Sequence, residues 1–147
     1  MKARELEQGF HGVHRWHCKV LEQRLEQTGV FRAQHQILMF LSDHPQSSQK
    51  QIAEAFKISP PAVGVSLKKL EKGGYIQRIV DTADNRYHQV TLTEKGHGVV
   101  CQSRRIFNEV LEEMYSGLSE EEGQILLSVL ERVRNNLKNM YEDEGEV

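Results

Sequence analysis

Apolar residues in the first part of the chain recur at helical spacing: Leu6, Phe10, Val13, Val20 and Leu21, with His17 inside the stripe. This predicts one long amphipathic helix to about Gln27. After the break "TGV", the stretch "RAQHQILMFLS" predicts a short helix that turns Ile37, Leu38 and Leu41 to a core and stops at "DHP". "SSQKQIAEAF" starts a third helix, with Ser48 as N-cap and Gln51 three positions later to return the bond. A fourth begins at "SPPAV" under a Ser59 cap, with proline in the first turn where its missing N–H costs nothing, and ends at Gly73 and Gly74. The period then shortens. "YIQRIV" and "YHQVTL" alternate in part and are rich in strand formers, and the turn-forming "DTADNR" between them predicts a hairpin. Helical spacing resumes at "TEKG" under Thr93 and runs through Val99, Ile106, Val110 and Met114 to about Tyr115. A last helix, capped by Ser119 with Glu122, carries Ile125, Val129, Val133, Leu137 and Met140.

The order α-α-α-α-β-β-α-α describes a mainly α fold with a small β-hairpin wing, a winged helix-turn-helix between flanking helices. At 147 residues one domain is expected. Within it, residues 31–92 form the winged core, 1–30 and 93–141 the flanking helices and 142–147 an acidic tail. There is no apolar run of membrane-spanning length, and "MKARELEQ" lacks the apolar block of a signal peptide, so a cytoplasmic location is expected. Cys18 and Cys101, with no CxxC, suggest reduced thiols rather than a disulfide framework.

The net charge of −2 argues against nucleic acid until its distribution is considered. From Ser47 to Leu92 there are seven Lys/Arg against four acids, +3, which leaves −5 for the rest. A basic module on an acidic scaffold fits that asymmetry. The fourth helix sharpens it. At 100° per residue Val63, Leu67 and Leu70 share an inward face with Ser66 at its edge, and the opposite face carries Pro61, Ala62, Val65, Lys68, Lys69 and Lys72. That face has no acid, small residues near its N-terminus and lysines towards its C-terminus. Small residues let a helix enter the major groove, lysines at the groove wall neutralise phosphates, and Val65 suits a thymine methyl. Lysines on a surface helix are often merely solvated. The hairpin tips the balance, because Asp84 and Arg86 stand two apart at its tip, where a carboxylate can orient a guanidinium towards a narrow minor groove.

"SQKQIAEAFKISPPAVGVSLKKLEKGGYIQR" followed by "DNRYHQVTLTEKG" resembles the multiple-antibiotic-resistance regulator (MarR) family of bacterial winged-helix repressors. The resemblance extends over the "QHQILMFL" helix, the "LEKGGYI" ending of the recognition helix, the DxR wing, the "LTEKG" restart and the flanking helices. It implies a homodimer, joined through the first, fifth and sixth helices, that binds a pseudo-palindromic double-stranded operator as a repressor relieved by a small ligand. Candidate DNA-binding residues are Ser48, Gln49, Ser59, Pro61, Ala62, Val65, Ser66, Lys68, Lys69, Arg78, Asp84 and Arg86. An organic effector is expected in the cleft between dimer helices and winged domain, touching His35. Three positions depart from the family pattern. Lys57 stands where many relatives have glycine, and αL geometry there costs a lysine about 1 kcal/mol. Gly64 lies inside the recognition helix at a cost of roughly 1 kcal/mol relative to alanine, which suggests close packing. Val65 replaces an arginine of many relatives, so their arginine–guanine contact does not carry over.

No P-loop, GxSxG, HExxH or dinucleotide glycine pattern is present, so an enzyme is not expected. Two alternatives remain: a metal- or thiol-responsive regulator of the same fold, or a winged-helix module that binds protein. "HRWHC" and "HGVVC" place His14 with Cys18 and His97 with Cys101 one helical turn apart, and all four could serve zinc if the first and fifth helices brought the pairs together. His11, His14 and His17 spread over about 120° and about 9 Å of helix, too far for one ion. Peroxide-sensing relatives use a cysteine near the start of the first helix supported by tyrosines; Cys18 comes later and no tyrosine precedes Tyr75. The expectation is therefore no cofactor, with zinc as the alternative.

Overall fold

The computed structural model describes residues 2–80 and 88–144, and is mainly helical. In chain order it has α1 (Ala3–Leu25), a 3-10 turn (Glu26–Thr28), α2 (Arg32–Asp43), β1 (Ser47–Ser48), α3 (Gln49–Phe56), α4 (Pro60–Lys72), β2 (Ile76–Val80), β3 (His88–Leu92), α5 (Glu94–Met114) and α6 (Glu120–Glu144). The chain divides into two compact units, Met1–Val110 and Leu111–Val147.

The helices start where the sequence supplies caps. Ser48 Oγ accepts from Gln51 N at 3.1 Å while Gln51 Oε1 accepts from Ser48 N at 2.8 Å, a complete capping box. Ser119 and Glu122 repeat it at the start of α6. Ser59 caps α4 through Ala62 N, with Pro60 and Pro61 in the first turn. The end of α4 is equally specified. Tyr75 N donates to Leu70 O and Gly74 N to Glu71 O, the two bonds of a Schellman motif, and Gly74 takes the φ of +78° that this motif requires. Lys57 does adopt the left-handed conformation, φ 52° and ψ 42°, and closes α3 by donating its N–H to Ala53 O and Glu54 O.

The main core gathers Ile37, Leu38 and Leu41 of α2, Ile52 and Ala53 of α3, Val63, Leu67 and Leu70 of α4, Ile76 and Val90 of the sheet, and Val99 and Val100 of α5. It fixes the pose of α4 from beneath. A second cluster joins Leu21 and Leu25 of α1 to Ile106 and Val110 of α5. The sheet corrects the two-stranded expectation. Its order is β1-β3-β2, all antiparallel, and Ser47 and Ser48 pair with Val90 and Gln89 on the free edge of the hairpin. The helix expected to reach about Gln27 tightens after Leu25 into the 3-10 turn.

The first half of α1 exposes Leu6, Phe10, Val13 and Trp16, the last 64% exposed. In the second unit α6 buries no side chain up to Glu142, although its apolar residues keep helical spacing.

Candidate nucleic-acid interface

Helix α4 is built as the sequence predicts. Val63 and Leu67 are fully buried and Leu70 nearly so, whereas Pro61, Ala62, Lys68, Lys69 and Lys72 lie in solvent and Val65 is 58% exposed. Ser66 is half-buried at the edge between the faces. An exposed strip therefore runs up the helix, apolar and small at the N-terminal end and cationic at the other. The lysines also lie at the end where the helix dipole is negative and favours cations. Gly64 has a packing reason: a Cβ there would stand 3.0 Å from Nε2 of Gln49, whose amide donates to Pro60 O at 2.9 Å. Gln49 thus ties the start of α3 to the first turn of α4.

The remaining candidates divide. Ser59 is exposed beside the strip and its hydroxyl serves as cap; Ser48 is buried and committed to its capping box. Arg78 lies on β2 with Nε 3.0 Å from Glu71 Oε2, an ion pair between the wing's base and the end of α4. The approach is close without the alignment of a hydrogen bond, and Nη2 is also enclosed without a hydrogen-bond partner. Its guanidinium is turned into the protein, where the sequence suggested an outward contact. Asp84 and Arg86 lie outside the described residues.

His35, the candidate effector contact, is only 1% exposed. Its Nε2 is 2.9 Å from Thr28 Oγ1 and its Nδ1 2.9 Å from Ser103 Oγ. Thr28 spends its hydroxyl proton on Leu25 O at 2.6 Å, so it can only accept from His35. That assigns the proton of the neutral imidazole to Nε2 and makes Ser103 the donor to Nδ1. Burial holds the imidazole below its ordinary range, opposed by hydrogen bonding with the Val30 backbone. Both nitrogens are occupied, so His35 joins the 3-10 turn after α1 to α2 and α5 and offers no polar atom to a ligand in this arrangement.

The histidine–cysteine pairs do not converge. His14 Nε2 and Cys18 Sγ are 3.7 Å apart, the contact one helical turn produces by itself. Cys101 lies two residues from Ser103, which His35 links to Thr28, ten residues along the chain from Cys18. His97 and Cys101 are exposed on α5. Among the described residues no group of three or more His, Cys, Asp or Glu is placed to hold a metal ion.

A helix-turn-helix whose second helix presents an open cationic strip, followed by a hairpin, defines a winged-helix protein of the DNA-binding class. The profile of the MarR family matches residues 28–86. Over 113 residues the chain is 32% identical to YdgJ, an HTH-type transcriptional regulator of Bacillus subtilis (strain 168), covering 77% of this chain and 69% of YdgJ. Among solved structures, MepR, a transcription regulator of the Staphylococcus aureus multidrug efflux pump MepA, superposes with a TM-score of 0.80 at 28% identity over 89% of this chain and 97% of MepR. The S. aureus MepR–DNA complex gives a TM-score of 0.72 at 29% identity, over 92% and 98%. The chain belongs to the MarR family and is a DNA-binding transcriptional regulator. Its relatives are regulators, not enzymes. No helix among the described residues is long and apolar enough to cross a membrane.

Proposed function

We propose that this protein is a cytoplasmic, homodimeric repressor that lays α4 of each copy into successive major grooves of a pseudo-palindromic operator and releases it when a small organic ligand binds. The observation that carries this reading is the open strip of α4 made by Pro61, Ala62, Val65, Lys68, Lys69 and Lys72, which contains no acid, flanked by a Glu71 that pairs with Arg78 and held from below by Val63, Leu67 and Leu70. In this role Pro61, Ala62, Val65 and Ser66 approach base edges and Lys68 and Lys69 meet phosphates. Ser48, Gln49 and Ser59 set the entry of the helix, Arg78 holds the wing's base, and Asp84 and Arg86 are assigned to DNA from the sequence alone. The apolar faces of α1 and α6 supply the surface for the second copy, and no cofactor takes part. Residues 31–92 form the DNA-binding core between dimerisation segments 1–30 and 93–144, the expected acidic tail at 142–147 giving its first three residues to α6.

Selection of duplexes from random sequence by the untagged protein, followed by footprinting, tests the reading. The expected product is an inverted repeat with half-site centres about 34 Å, one helical turn, apart. Footprints on the gene's own upstream DNA are then challenged with organic effectors, zinc and a chelator. A single unrepeated half-site would remove the dimeric reading, and enrichment of no sequence would remove specific recognition. Loss of the footprint with zinc alone would replace the organic effector by a metal.

A further inference from the structure

The "LEKGGY" ending of the recognition helix and the "LTEKG" start of α5 meet in the fold. A helix leaves its last carbonyls without intrahelical partners, and here the chain past α4 presents three consecutive acceptors, Gly73, Gly74 and Tyr75. All three are taken by the start of α5. Lys95 Nζ donates to Gly73 O at 2.7 Å, Thr93 Oγ1 donates to Gly74 O at 2.6 Å, and Thr93 N donates to Tyr75 O at 3.1 Å. Thr93 Oγ1 also accepts from Gly96 N at 3.1 Å, so one hydroxyl caps α5 and grips the turn below it. The backbones are in contact: a Cβ on Gly96 would collide with Tyr75 O. Lys95 adds a second hold, with Nζ 4.4 Å from the centre of the Tyr75 ring.

We propose that Lys95 is a positioning residue for DNA recognition. It fixes the C-terminal end of α4 against α5 without touching DNA itself. The inference rests on the DNA-binding reading of α4 and adds to it a division of labour. Lys68, Lys69 and Lys72 attract any duplex, whereas base readout by Ala62 and Val65 needs the helix axis held at one tilt, because contacts to base edges tolerate less displacement than contacts to phosphates. The core beneath α4 fixes its depth through Val63, Leu67 and Leu70. The latch of Thr93 and Lys95 fixes the end that the Schellman turn would otherwise leave to the solvent.

Lys95→Met keeps the aliphatic stem over Tyr75 and removes the donor, and Lys95→Arg retains a cation that reaches both Gly73 O and the ring. Fluorescence anisotropy is read across a salt series on the duplex selected by the wild-type protein and on a scrambled duplex of equal length. Lys95→Met is expected to weaken the selected duplex about tenfold, leave the scrambled duplex within twofold and keep the wild-type salt slope and melting temperature. Lys95→Arg recovers most of the loss. A parallel loss on both duplexes with a slope lower by about one would make Lys95 a phosphate contact and overturn the proposal. Unchanged affinity for both duplexes in Lys95→Met and in Thr93→Val would show that the latch positions nothing. A selection that enriches no sequence removes the recognition reading, and the latch with it; a selected duplex that Lys95→Met binds normally removes the latch alone.

Discussion

Helices α4 and α6 each leave a face in solvent, and the two faces are chemical opposites. On α4 the exposed strip is short, small-sided and cationic, over an inward face that is fully packed. On α6 the exposed residues include Ile125, Leu127, Val129, Val133, Leu137 and Met140, and no side chain up to Glu142 is buried. A packed helix with a charged strip is stable as it stands and waits for a polyanion. A helix whose apolar residues recur at helical spacing and stay exposed is incomplete, because exposed apolar faces of this kind mark interaction sites. Exposure alone therefore does not identify a partner; what is exposed, and what supports it, does.

Breaking the apolar face has the largest expected effect. Val129→Glu with Val133→Glu places two carboxylates one turn apart on the stripe, where a second copy would have to bury them. Sedimentation is expected to show a monomer at micromolar concentration. Loss of the second recognition helix removes the gain from bivalency and lowers affinity for the selected duplex by about 100-fold or more. The winged core, whose buried residues end at Val100, is expected to keep its fold. An unchanged dimer would assign the α6 face to a different partner.

His35 sharpens the comparison from inside, since it is the buried polar joint between the 3-10 turn, α2 and α5. Its ordinary pKa of 6.5 is lowered in the folded state, so folding favours the neutral ring. The sign follows: above 6.5 both folded and unfolded states are neutral and the contribution to stability is complete. As pH falls through 6.5 the unfolded state takes up the proton first, and stability declines until the folded pKa is passed. His35→Phe fills the same space without titrating. It is expected to cost about 1–3 kcal/mol at pH 7.5, through the lost bonds of Thr28 and Ser103, and to flatten the decline between pH 7 and 5. Denaturant melts across that range read both effects, and an equal decline in both proteins would place the acid-sensitive group elsewhere.

These cases also separate what the sequence carries from what only the fold reveals. The caps at Ser48, Ser59, Thr93 and Ser119 were legible because a cap and its partner lie three residues apart. The inward face of α4 was legible for the same local reason. β1 was not: two serines carry no strand pattern and pair only because β3 returns past them. The role of His35 was hidden because Ser103 lies 68 positions away. Arg78 suited an outward DNA contact by composition, and its pairing with Glu71 depends on how the Gly73–Gly74 turn folds strand back beside helix. The histidine–cysteine spacing carries little information either way, since a helix places i and i+4 side by side whether or not a second pair ever arrives.

The smallest expected effect tests the charged face. Lys69 is exposed on α4 at the cationic end of the strip, one turn beyond Val65, and supports nothing in the core. If it meets a phosphate, its removal acts through counterions and not through shape. Each phosphate contact contributes about 0.9 to the slope of log affinity against log salt. Lys69→Ala should therefore lower that slope by about one and weaken binding roughly five- to tenfold at 0.1 M salt, on selected and scrambled duplexes alike. Melting temperature and dimer content are expected to stay at wild-type values, in contrast to the α6 variant, which changes the assembly, and to Lys95→Met, which changes only discrimination. Anisotropy titrations at four salt concentrations distinguish the three. A wild-type slope in Lys69→Ala would mean that the strip faces away from the phosphates, and α4 would then have to enter the groove by its other edge.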